Sequence, residues 1–567
     1  MDSGVDSLKT RIFVAQKTLP ADLVLKDGRV VNVFTGRIDR ADVAFSGGVI
    51  AAVGSDYSGL EEVSVQGKWI VPGFIDAHYH VESSMMIPSE LASALLVHGT
   101  TAIVADPHEI ANVRGLEGIR FMLSQSAGSP VDMFFMAPSC VPATEMETAG
   151  SALGASELQA LLEEDRILGL GEMMNFPAVL GGDPQVFEKI LLFQHLILDG
   201  HCPGLRGEAL QAYLSSGIRS DHETTSREEG LEKIQAGAVL MIREGTSAKN
   251  LEELLPLIEP GNARRFCLVS DDLHPEDIRS RGHLDFLLKK AVGKGLDPVT
   301  ALRLVTLNPA EYFGFRDRGA VAPGYRADIA VLNDFEDFEI HSVYKNGRKA
   351  AEAGSVVALS RKGGQKLPDW CGVPLNVAPL DPESFRITAQ GEKVRIIQLI
   401  PGQIATRMVI EEVGSNRKEI LSDPDADILK LAVVERHHAS GRVGLGLIRG
   451  FGLKQGALAS SVAHDSHNII VVGIRSDEML RAVEEVRTMG GGLAAVSGDR
   501  VMARAALPVG GLMSTKPLDL VVQDLDEIKK AASELGCRLE EPMMTLSFLA
   551  LPVIPELKLT DRGLVDV

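Results

Sequence analysis

Two histidines one residue apart, His78 and His80, follow the run VPGFID at 71–76. Residues i and i+2 of a strand point to the same side, so both imidazoles can face one point, as metal ligands must. Titratable residues close other short apolar runs further along. Asp106 closes TTAIVAD (100–106), with His108 two residues on; Glu172 lies in ILGLGEM (167–173), and His201 follows Asp199-Gly200. Asp221-His222-Glu223 ends IRSDHE (218–223), Arg243-Glu244 lies at the end of AVLMIREG (238–245), and Asp271-Asp272 ends FCLVSDD (266–272). Buried apolar strands do not ordinarily finish on titratable groups. The recurrence points to one polar site assembled from several strand ends, with Glu223 and Asp272, as second acidic residues, read as salt-bridged partners rather than ligands. His108 has an alternative use as the cap of the following helix.

The elements that would carry these residues follow a regular order. From 71 to 313, short apolar runs alternate with helix-length segments. Counting VPGFID, VDMFFMAPS (131–139) and a weaker run before Asp199, there are eight. Eight strands in βα alternation predict a closed (β/α)8 TIM-like barrel, whose chemistry sits at the C-terminal ends of its strands. Residues 21–70 and 319–350 are written differently, in short alternating pieces separated by Asp-Gly, Gly-Gly and Gln-Gly turns. Both flanks, 1–70 and 314–365, are expected to build one small β domain into which the barrel is inserted. Residues 379–567 mix helix-like and strand-like stretches and predict a C-terminal α/β domain. Its glycine clusters, Gly444-Leu445-Gly446 and Gly490 to Gly492, lack the spacing of a nucleotide loop and read as turns or close packing. Its segment AHDSHN (463–468), just before an apolar strand, carries adjacent polar groups, His464 and His467 among them, that could line a site or a metal or form a solvated turn.

Composition narrows the function classes. The 567 residues carry 57 Lys and Arg against 77 Asp and Glu, a formal charge of -20, which repels a polyphosphate backbone and argues against nucleic acid as a partner. Five scattered cysteines form no C-x-x-C pair, which argues against a disulfide framework or a thiolate zinc site and fits a reducing, cytoplasmic setting. There is no apolar leader segment and no run of 18 apolar residues, so no membrane partner is expected. A homo-oligomer, dimer or higher, is the general expectation for such a chain.

Taken together, His78-x-His80, Glu172, His201, His222 and Asp271 resemble the amidohydrolase superfamily. More specifically, HYHVESS (78–84), DPHE (106–109), GEMMN (171–175), DGH (199–201), SDHE (220–223), SDD (270–272) and VAHDSHN (462–468) resemble the bacterial adenine deaminase family across nearly the whole chain. The resemblance implies that the flanking β domain is a sandwich. It also implies two divalent metal ions per site, with a plain glutamate where many superfamily members carry a carboxylated lysine. His78, His80 and Asp271 would hold one ion, His201 and His222 the other, and Glu172 would bridge. Nitrogen and oxygen ligands suit Mn, Fe(II) or Zn and do not choose among them.

The reaction implied is attack of a metal-activated hydroxide on C6 of adenine, giving hypoxanthine and ammonia. Asp271 would pass the proton to the leaving amino group, Glu172 would bridge and shuttle, and His108 would orient the hydroxide or substrate. Glu82, Ser83, Ser84, Arg243 and Asp272 are candidates to bind the purine. The cytidine-type signature H-x-E with P-C-x-x-C is absent, so base deamination would have to use barrel chemistry. The competing readings are cyclic-amide hydrolysis, deamination of a different base, or a non-catalytic scaffold of the same shape.

Overall fold

The computed structural model describes residues 2–357, 366–389, 391–412 and 419–567. Eight parallel strands form a barrel: Phe74–Tyr79, Thr100–Ala105, Asp132–Ala137, Ile167–Met173, Ile197–Gly200, Ser220–Asp221, Val239–Arg243 and Phe266–Val269. The first five pair in chain order, and so do the last three. These runs are apolar and buried on both faces, as strands covered by crossover helices must be. Between the fifth and sixth strands, Arg219 N donates to Leu198 O at 3.1 Å and Gly200 N to the Ser220 hydroxyl at 3.1 Å. Between the eighth and the first, Asp271 N donates to His78 O at 3.1 Å and His80 N to Asp271 O at 3.3 Å. This last seam lies beyond the end of the eighth strand. Closing the ring therefore fixes the backbone of three candidate ligands at once.

Below that seam a fully buried polar network ties the first, second and eighth strands together. Ser270 Oγ donates to Asp76 Oδ2 at 2.5 Å, His283 Nε2 lies 2.9 Å from the same oxygen, and His283 Nδ1 lies 2.8 Å from Thr100 Oγ1. Each member has a partner, so the network rigidifies the barrel floor rather than leaving a buried charge uncompensated.

The two flanks are joined by hydrogen bonds into one nine-stranded sheet. Trp69–Pro72 runs parallel to Ala21–Val31 on one side and antiparallel to Ile329–Leu332 on the other. Leu25, Val43 and Phe45 from the N-terminal flank share one core with Ile329, Val331 and Tyr344 from the other. The expected end of this region, 358–365, lies outside the described residues.

The C-terminal region is built on an eight-stranded sheet whose edge strands are Thr406–Glu412 and Arg500–Ala506. The helix Leu518–Glu534 packs both on that sheet and against the barrel helix Pro275–Arg281. Across this seam Lys529 Nζ lies 3.1 Å from Glu276. No helix among the described residues is long and apolar enough to cross a membrane.

Candidate metal centre

His78 and His80 leave the first strand on the same side, their rings 4.9 Å apart. Each is 3% exposed. Glu172, near the end of the fourth strand, reaches them with Oε1, 3.3 Å from His80 Nε2 and 3.8 Å from His78 Nε2. Its other oxygen faces the opposite pair, 2.6 Å from His201 Nδ1 and 3.1 Å from His222 Nε2. Asp271 completes the set, with Oδ1 at 3.2 Å from His80 Nε2 and 3.4 Å from His78 Nε2. Six side chains from five strand ends thus converge, with Glu172 between the two imidazole pairs.

The donor set fits divalent cations. Four imidazoles and two carboxylates without thiolate are borderline ligands, and imidazole and carboxylate suit Mn, Fe(II) and Zn alike. His78 Nε2 is buried with no hydrogen-bond partner, a cost that a cation would remove. His80 Nδ1 lies 3.1 Å from Asp106 O; donating its proton there leaves the Nε2 lone pair facing the centre. Burial alone would push Glu172 and Asp271 upward. Instead His222 and the hydrogen-bonding imidazoles hold Glu172 well below the usual carboxylate range, and Arg243 with His78 and His80 does the same for Asp271. Both oxygens of each group are therefore available as acceptors.

The surrounding residues hold these ligands in place. Arg243 Nη1 donates to Asp271 Oδ2 at 2.7 Å and Nη2 donates to Glu223 at 2.7 Å. Arg243 is thereby committed to an ion pair between neighbouring strand ends, and Glu223 is its salt-bridged partner. Lys233 is wholly buried and donates to Cys202 O at 2.8 Å, Asp221 Oδ2 at 2.9 Å and Glu229 Oε1 at 2.6 Å. Asp221 in turn accepts from Cys202 N at 2.8 Å, so one lysine ties together the residues next to His201 and His222. Nothing in the local sequence around Lys233 announced this. Its one legible trace is the i, i+4 spacing from Glu229.

Asp106 belongs to the same layer. Its Oδ2 accepts from Glu172 N at 3.0 Å, and only a glycine at 171 leaves it room, because a Cβ there would stand 2.0 Å from that oxygen. Gly171→Ala is expected to cost roughly 1–3 kcal/mol as an overpacking change. By swinging Asp106 it should also lower metal content, read by elemental analysis beside a thermal melt.

The remaining candidates are distributed unevenly. His108 opens the helix His108–Gln125, whose N-cap is Pro107. Its Nδ1 lies 3.6 Å from Glu172 Oε1 and 3.6 Å from Asp106 Oδ1. Glu82 is 4% exposed; its Oε1 accepts from Ile110 N at 3.0 Å, while Oε2 is buried and unpartnered. Burial, with Glu109 nearby, pushes its carboxyl up to about 7. Ser83 donates its hydroxyl to Asp272. Ser84 turns away, donating to Val81 O at 2.6 Å and accepting from Met86 N at 3.3 Å, so the structure does not bring it to the site. A pocket between the barrel and the C-terminal region is lined by Glu82, Ser83 and Glu109 on the barrel side and by Leu493, Leu525 and Met543 among its apolar walls. It borders the centre through Glu82 and Ser83 and includes none of the six converging side chains.

Comparison with known proteins adds an independent line. Residues 69–350 match the amidohydrolase family, and residues 403–567 match the adenine deaminase C-terminal domain. The adenine deaminase of Desulfatibacillum aliphaticivorans is 49% identical over 558 residues, covering 98% of this chain and 97% of its own. That of Methanothrix thermoacetophila is 47% identical over 558 residues, with 98% and 97% covered.

Proposed function

This chain belongs to the adenine deaminase family of amidohydrolases, and from that premise we infer that it catalyses hydrolytic deamination of adenine to hypoxanthine and ammonia. The observation that carries the reading is the convergence of His78, His80, His201, His222, Asp271 and Glu172 on one buried point beside an open cleft. Two divalent cations, Mn, Fe(II) or Zn, held by these residues would lower the pKa of water from 15.7 toward roughly 7 and so supply a nucleophile at neutral pH.

The chain's own residues supply the rest. Deamination at C6 requires a proton to be taken from the nucleophile and given to the departing amino group. Asp271 suits this role because its Oδ1 faces the centre while Arg243 holds Oδ2. Glu172 spans both imidazole pairs, and His108 stands beside it. The buried, unpartnered Oε2 of Glu82 is available to a ring nitrogen of the base at the end of the cleft. Ser83 and Asp272, joined by a hydrogen bond, are the next polar groups there.

The proposal includes a division of the chain into a barrel of 71–313, a sandwich-like flank domain of 1–70 and 314–365, and a C-terminal domain of 379–567. A homo-oligomer is part of it too, resting on the prevalence of closed symmetric assemblies. Light scattering checks that point.

The decisive experiment incubates metal-loaded protein with adenine, adenosine, cytosine and a hydantoin, following ammonia and ring absorbance. Ammonia from adenine in large excess over the others is expected. Turnover of the hydantoin with none of adenine overturns the reading.

A further inference from the structure

The turn from Ala463 to Asn468 belongs to the C-terminal region, yet it lies over the start of the barrel helix His108–Gln125. His464 Nδ1 is 2.7 Å from Glu109 Oε1, and His467 Nε2 lies against Glu109 Oε2. Glu109 is 4% exposed, and a carboxylate so buried needs partners. The proton positions follow from the surroundings. Ala463 N donates to His467 Nδ1 at 3.1 Å, so that nitrogen carries no proton and the neutral ring presents Nε2–H to the carboxylate. A ring already using its Nδ1 lone pair in this way could bind a cation at Nε2 only by losing its last proton. His464 and His467 thus bracket the two oxygens of the Glu109 carboxylate.

The clamp points at the catalytic centre. Glu109 Oε1 is also 3.7 Å from His108 Nε2, while the other ring nitrogen, Nδ1, faces Glu172 and has no hydrogen-bond partner. The order is thus C-terminal imidazoles, Glu109, His108, Glu172. Asp465, between the two histidines in sequence, is buried with Oδ2 unpartnered.

We propose that His464 and His467 are positioning residues, which through Glu109 fix the His108 imidazole beside Glu172 so that the C-terminal domain completes the active site. The proposal rests on the deaminase reading, which gives His108 its part. A carboxylate behind one nitrogen of an imidazole sets which nitrogen is protonated and turns the other toward the reacting centre. Glu109, with Oε1 3.7 Å from His108 Nε2, stands on that side of the ring as a fixed negative charge rather than as a hydrogen-bond acceptor. Its own orientation comes from a domain whose contact residue lies 355 positions away in the chain.

The test uses the full metal-loaded chain with Glu109→Gln, His467→Leu and His467→Gln, the last keeping an N–H donor near the Nε2 position. Glu109→Gln and His467→Leu are expected to lower kcat per metal-loaded, folded chain by about 10²-fold, the lower range for a positioned acid-base group. KM should move less than about threefold and metal content should stay at the wild-type level. His467→Gln should recover most of the loss, which a merely structural role would not predict. A kcat within about threefold of wild type for Glu109→Gln or for folded His467→Leu overturns the proposal. Should His467→Leu fail to fold, Glu109→Gln decides alone. Wild type measured alongside keeps the two readings apart. If it releases no ammonia from adenine, the deaminase reading falls, and the clamp is judged on the substrate that wild type does turn over.

Discussion

Asp271→Asn is expected to lower kcat for adenine by about 10³-fold, within the 10²–10⁴ that a positioned acid-base group contributes. Asparagine is the informative substitute because Asp271 sits at φ +58°, in the left-handed region. Asn and Asp tolerate that region better than other side chains with a Cβ, so the backbone that closes the barrel can stay in place. The amide keeps the shape but loses the charge that faces His78 and His80 and the ability to carry a proton. Arg243 retains Glu223 as a partner, at 2.6 Å, so its charge is not stranded. The measurement is kcat and KM with metal content and melting temperature on the same samples. Ammonia release at the wild-type rate would remove Asp271 from the mechanism.

Glu172→Gln should have a larger effect on the metal than on the fold. Among the described residues Glu172 alone lies within ion-pair distance of both imidazole pairs, His78 with His80 and His201 with His222. An amide in its place removes the negative charge shared by the two halves and turns an N–H₂ donor toward one of them. Metal content is expected to fall below the wild-type value, with kcat down at least about 10³-fold. Elemental analysis after gel filtration reads the first and an ammonia assay the second. Full metal retention with near-normal turnover would show that the two halves do not need a shared carboxylate. Chelation of wild type should reproduce the loss of activity and be reversed by adding metal back, whereas chelation should change little in a variant that has already lost its ions.

Much of this site was legible from local pattern. Each candidate ligand stands where an apolar run meets a polar residue, and in a barrel every such point lies at the same end. The i, i+2 spacing of His78 and His80 required no knowledge of any other strand. Substrate candidates were harder to read, because Glu82, Ser83 and Ser84 look alike on the page. Only the direction of a 3-10 turn, Val81–Ser84, leaves the first two near the cleft and turns the third onto its own backbone.

What the sequence determined by itself is therefore the barrel and the residue types at its strand ends. These follow from hydrophobic period and turn chemistry, which act between near neighbours in the chain. The tertiary structure alone decided which charges pair. It gave Arg243 to Asp271 and Glu223, Lys233 to the residues beside two candidate ligands, and Glu109 to histidines of another domain. The physical reason is that a buried charge must find whatever opposite group folding brings within about 4 Å. Sequence periodicity reports that a position is buried, but not what it is buried against.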